Sequence, residues 1–137
     1  MQSHFNLNDQ QFETAFEKCT LDPVLFSHEA HLRLAWIHID KYGEEHAIRN
    51  ICRQLKNYVR FVGAEDKFNL TVTIAAIKAV NHFMKRWSGE SFKDFISRWP
   101  RLKTNFKDLM SAHYTENIFV LPDAKLVFLE PDLLPFE

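Results

Sequence analysis

Apolar residues return at spacings of three and four along most of this chain, the period of helices packed on one face. Phe12, Ala15, Phe16 and Cys19 form the first run. With Asn8 ahead of them they predict a helix of about three turns. The "TLDP" stretch ends it, because Pro23 suits a first helical turn but no helix interior. Ser27 is a suitable N-cap for a second helix that runs to about Tyr42 and stops at Gly43. Leu32, Leu34, Ala35, Trp36, Ile37 and Ile39 point to more than one side of it, so this helix is predicted to be well buried.

The third helix, Glu44 to about Val62, has the cleanest period. Ala47, Ile48, Ile51, Cys52, Leu55, Val59 and Val62 make one stripe, and Arg49, Arg53, Lys56 and Arg60 lie off it. After Gly63 the segment "AEDKFN" reads as a connection, with Asn69 capping a fourth helix over "LTVTIAAIKAVNHFMKRW". The β-branched start is outweighed by "AAIKAVNHF", and this helix is predicted to be the most buried. Glu90 to Arg98 forms a short helix with Phe92, Phe95 and Trp99 as its apolar residues, and Pro100 sets a boundary. A sixth helix is predicted from there to about Tyr114. The closing "ENIFVLPDAKLVFLEPDLLPFE" holds three prolines. It predicts a helical turn near Asp123 and an extended tail pinned by Phe128, Leu129, Leu133, Leu134 and Phe136. The expectation is therefore an all-α fold: one domain over residues 1–137, an orthogonal or irregular bundle of about six helices with a Pro-rich C-terminal tail packed on the body.

Composition supports this. A chain of 137 residues suits one domain with one core. Only 3 glycines against 13 phenylalanines leaves few tight turns and favours helices over short strands. The net charge of −1 is unevenly spread: basic side chains crowd residues 85–107, and acidic ones the first 25 residues and the stretch after Thr115. This basic run reads as a solvated face rather than a nucleic-acid surface. Two cysteines, Cys19 and Cys52, are too few for a disulfide framework. The start "MQSHFNLNDQ" lacks the pattern of a signal peptide, and no apolar run is long enough for a membrane span, so the expected location is cytoplasmic.

Candidate chemistry gathers in "FSHEAHLRLAW". His28 and His31 sit three apart, on one face at the positive end of a helix, which favours neutral imidazoles able to share one ligand or metal. Glu29 and Arg33, four apart, read as an ordinary ion pair. The start of the fourth helix offers Asn69, Thr71 and Thr73, with Lys67 just before it. Asn69 reads first as a cap, and the threonines first as donors to nearby backbone. No phosphate-binding loop, nucleophile elbow, H-E-x-x-H or clustered cysteine occurs. Trp36, Trp87 and Trp99 read as core anchors.

These blocks resemble a widespread group of small, mainly bacterial, all-helical proteins of unassigned function. Their pattern begins F-x-H-x-x-H-L-R-x-A-W, here Phe26, His28, His31, Leu32, Arg33, Ala35 and Trp36. A second block, K-[YF]-H-x-T-x-T, corresponds to Lys67, Phe68, Asn69, Thr71 and Thr73, and a closing P-D-L-x-P to Pro131, Asp132, Leu133 and Pro135. The resemblance implies that the first two blocks meet. The chain departs from the pattern at Asn69, where the group has histidine, and at Leu70, where it has an acidic residue. Asparagine is a poor ligand for zinc or iron, which weakens a divalent metal held through His28 and His31.

Three readings follow. The first is a small polar or anionic molecule bound between the second and fourth helices by His28, His31, Lys67, Asn69, Thr71 and Thr73. The second is an enzyme at the same place, with His31 or His28 as general base and a metal assisting. The third is a structural or interaction protein that forms a homodimer through exposed aromatics such as Phe92 and Phe95.

Overall fold

A computed structural model describes residues 3–137. The fold is all-helical, an irregular arrangement with no strand among the described residues. The backbone forms two compact units, one ending at Phe68 and the other beginning at Asn69. No helix among the described residues is long and apolar enough to cross a membrane.

The first unit holds α1 (Asp9–Glu17), α2 (His28–Tyr42) and α3 (Glu44–Phe61), with short 3-10 turns at His4–Asn6, Pro23–Leu25 and Glu65–Lys67. Asn8 and Gln11 form a reciprocal capping box at the head of α1. Gly43 alone joins α2 to α3. Its φ of 85° lies in the left-handed region that a side chain disfavours. The two helices pack along each other and α1 packs on both. Phe12, Phe16, Leu34, Ile37, Ala47, Leu55 and Tyr58 are core residues, and Tyr58 donates its hydroxyl to the Leu21 carbonyl at 2.9 Å.

The second unit begins with α4 (Leu70–Met84), followed by α5 (Phe92–Arg98), α6 (Arg101–Thr104), α7 (Phe106–Ser111) and α8 (Pro122–Leu126). No residue of α4 is exposed, as its all-round apolar pattern predicts. The predicted sixth helix is broken: Asn105, at φ −131° and ψ 35°, separates α6 from α7. Phe92 and Phe95 are buried, so they are core residues and not an exposed dimer surface. Trp87 is instead exposed, and Trp99 is half-buried with its indole N–H donating to the Trp87 carbonyl.

The tail is held mainly by polar bonds. Leu133 and Leu134, expected as apolar pins, are exposed. The Leu133 N–H donates to the His113 carbonyl, Tyr114 donates to the Leu129 carbonyl, and Asp132 accepts from the Thr115 N–H at 2.9 Å. The Thr115 bonds hold the Asp132 carboxyl below its ordinary value. Thr71 is the inner anchor: fully buried, it donates to the Val127 carbonyl at 2.9 Å and accepts from the Leu129 N–H at 3.1 Å. Thr71→Val keeps the shape and strands both tail groups. It is expected to cost about 1–2 kcal/mol, read from the urea midpoint. An unchanged midpoint would show that the tail does not depend on this hydroxyl.

Candidate functional site

The head of α2 begins at Ser27, whose hydroxyl accepts from the Ala30 N–H at 3.2 Å and leaves the chain free to turn in. His28 occupies the first helical position and His31 lies one turn on. Both are exposed, whereas every residue from Leu32 to His38 is buried. The His31 ring stacks on Phe26, with centroids 3.9 Å apart and planes 27° from parallel. Phe26 in turn packs against Phe16 and Tyr58, at 4.9 and 5.2 Å. A buried aromatic ladder from α1 and α3 thus fixes the orientation of a solvent-facing imidazole. This is the role of Phe26 in the "FSHEAH" stretch, and sequence spacing alone did not reveal it.

Crowding by the surrounding chain, and then the charge of His28, push the His31 imidazole below its ordinary 6.5. No hydrogen-bond partner reaches its nitrogens among the described residues. His31 is therefore a neutral donor and acceptor at pH 7.

Glu29 and Arg33 do not pair as expected. Glu29 accepts from His4 Nε2 at 2.8 Å, and Arg33 turns into the first unit and is 4 % exposed. Its Nε and Nη2 donate to Asp9 at 3.3 and 3.0 Å, Nη2 also to the Leu7 carbonyl at 2.8 Å, and Nη1 to the His4 carbonyl at 2.7 Å. The second Nη1 proton faces His4 Nδ1 at 3.2 Å. With the Nε2 proton of His4 directed at Glu29, Nδ1 presents a lone pair to it. All five guanidinium N–H groups are matched, and the Phe12 ring lies 4.8 Å below the cation. The network ties the first 3-10 turn to α2.

The other expected site residues are placed as follows. Lys67 ends the 3-10 turn at Glu65–Lys67 in the first unit and is exposed. Asn69 caps α4, its Oδ1 accepting from Val72 N–H at 3.0 Å while its Nδ2 donates to the Ile118 carbonyl at 2.9 Å. Thr73 donates back to the Asn69 carbonyl at 2.7 Å, and Thr71 holds the tail. The polar groups of these three residues are thus occupied within the second unit. Among the described residues, no three His, Cys, Asp or Glu side chains gather to hold a metal ion.

Compared with family models, with curated proteins and with solved structures, the chain matches none.

Proposed function

We propose that this chain binds a small polar or anionic molecule at the head of α2, with His28 and His31 as its contacts and Lys67 as a cation on the same unit. The observation that carries the reading is the His31 imidazole: braced on one face by Phe26, facing water, and without a hydrogen-bond partner among the described residues. Neutral imidazole offers one N–H and one lone pair, and the first-turn N–H groups of α2 add attraction for a negative oxygen. Binding is favoured over catalysis. An imidazole with its proton affinity driven well down is a weak general base at neutral pH. Two imidazoles also fall short of the three protein ligands of a catalytic zinc site.

The same stretch supports membership of the group of small all-helical proteins that the chain resembles. Leu32, Arg33, Ala35 and Trp36 of the first block are buried, Asn69 and Thr73 of the second hold the start of α4, and Asp132 of the third pins the tail. The histidines are the exposed members of the first block. The two cysteines are free thiols, which suits a reducing compartment such as the cytoplasm.

Inorganic phosphate and acetate are the probes. Titrated into the 15N-labelled chain, they are expected to move the ring resonances of His31 and His28. His31→Ala is expected to keep the fold and weaken the response about tenfold, roughly 1.4 kcal/mol. Silent imidazole resonances, or an unaltered response in His31→Ala, would remove the site.

A further inference from the structure

The second unit carries a cavity of its own, about 400 Å³, bounded by α4, α7 and the tail. That volume falls in the range of small-molecule sites. Its walls are largely apolar, with Phe83, Leu109, Met110 and Phe136 among them, and two imidazoles, His82 and His113, interrupt them.

Both rings are held by the same device. His113 Nδ1 lies 2.8 Å from the Leu134 carbonyl, and His82 Nδ1 meets the Glu137 carbonyl. A carbonyl can only accept, so in His113 Nδ1 carries the proton and Nε2 holds the bare lone pair. Arg86 Nη1 carries two hydrogens and reaches both the His82 carbonyl at 3.0 Å and His82 Nδ1 at 3.3 Å, so His82 Nδ1 stands between a donor and an acceptor. Phe136 stacks on His113 with centroids 4.1 Å apart, and Phe83 meets His82 edge-on at 5.0 Å. Tautomer and orientation of His113 are therefore both fixed, and neither Nε2 has a hydrogen-bond donor among the described residues.

We infer that this cavity binds a small aromatic molecule bearing a hydroxyl, a ligand of the phenol class. Its ring lies against the apolar walls, and its O–H donates to an imidazole Nε2. The walls select an apolar body. The His113 Nε2 lone pair calls for a donor, which a carboxylate lacks. This site belongs to a different unit from His28 and His31, and neither proposal depends on the other.

The test titrates the full chain with p-cresol, p-xylene and p-toluate and follows the imidazole 15N resonances. p-Cresol is expected to shift Nε2 of His82 or His113 and to bind at least tenfold more tightly than the other two, about 1.4 kcal/mol in preference. His113→Asn and His82→Asn each retain an amide donor where Nδ1 stood and delete Nε2. One of them is expected to abolish the preference for p-cresol while amide dispersion shows an intact fold. Should one variant fail to fold, the other and the wild-type panel still decide. Ala79→Phe, which projects into the cavity, is expected to abolish binding of all three. Equal affinity for p-cresol and p-xylene would overturn the assignment. So would a preference that survives both asparagine variants, or binding that survives Ala79→Phe.

Discussion

Replacing Arg33 with methionine is expected to lower the unfolding free energy by about 3–5 kcal/mol, seen as a lower urea midpoint with an unchanged slope. Methionine fills much of the same volume, so the cost comes from the groups left behind. The Leu7 carbonyl and the His4 Nδ1 lose the guanidinium donors at once, and the His4 carbonyl keeps only the Leu7 N–H. His4 and Arg33 are 3 % and 4 % exposed, so water does not readily replace those bonds. Arg33→Lys is expected to recover little, because an ammonium cannot reach acceptors arranged around a planar fork. Asp9→Asn supplies the contrast. That carboxylate is 46 % exposed, and losing its charge is expected to cost less than about 1 kcal/mol. A methionine variant within 1 kcal/mol of wild type would mean that the network is decoration on a fold held by α2 and α3 alone.

The Arg33 network also marks the limit of local reading. Helix ends with strong signals were legible: Ser27, Gly43 and Asn69 act where their backbone preferences predict, and the stripe of α3 faces the core. The Glu29–Arg33 pair was misplaced because the i, i+4 rule considers only one helix. Here His4 and Asp9, 25 and 24 residues away from their partners, offered buried partners that same-helix pairing could not match. Asn105 broke a helix without any Pro or Gly signal. Thr104 lies beside the break, its hydroxyl within reach of both the Pro100 carbonyl and Asn105 Oδ1. Spacing on α2 correctly put His28 and His31 on neighbouring turns, but the brace behind His31 comes from Phe26, in the turn before the helix. The bond between Thr71 and Leu129 spans 58 residues, and no periodicity carries such information. For the same reason no local spacing links His82 and His113, which meet at one cavity with the tail.

His38 leads to the second large effect, an acid sensitivity written into the first unit. The side chain is 1 % exposed and neither ring nitrogen has a hydrogen-bond partner among the described residues. Burial pushes its imidazole below the ordinary 6.5. Glu13 and Glu17 of α1 oppose that shift, whereas Lys41 of α2 and Arg53 of α3 add to it. Glu13 is itself engaged: burial raises its carboxyl, but bonds from Lys41 at 2.5 Å and Tyr42 at 2.6 Å more than reverse this and hold it charged. His38 is therefore neutral in the folded chain at a pH where the unfolded chain would protonate it. Since the unfolded state then binds more protons, stability from this group is complete above pH 6.5 and is lost as pH falls below it. The slope approaches about 1.4 kcal/mol per pH unit until the folded imidazole itself titrates. His38→Leu removes both the buried unsatisfied nitrogens and the titration. It is expected to be more stable at pH 7 by about 1–3 kcal/mol, and to gain a further margin over wild type at pH 5. Urea midpoints of the two proteins at both pH values check this. A wild-type chain whose disadvantage does not widen in acid would place the proton of the unfolded state elsewhere, and His38 would then be no more than a tolerated polar residue in the core.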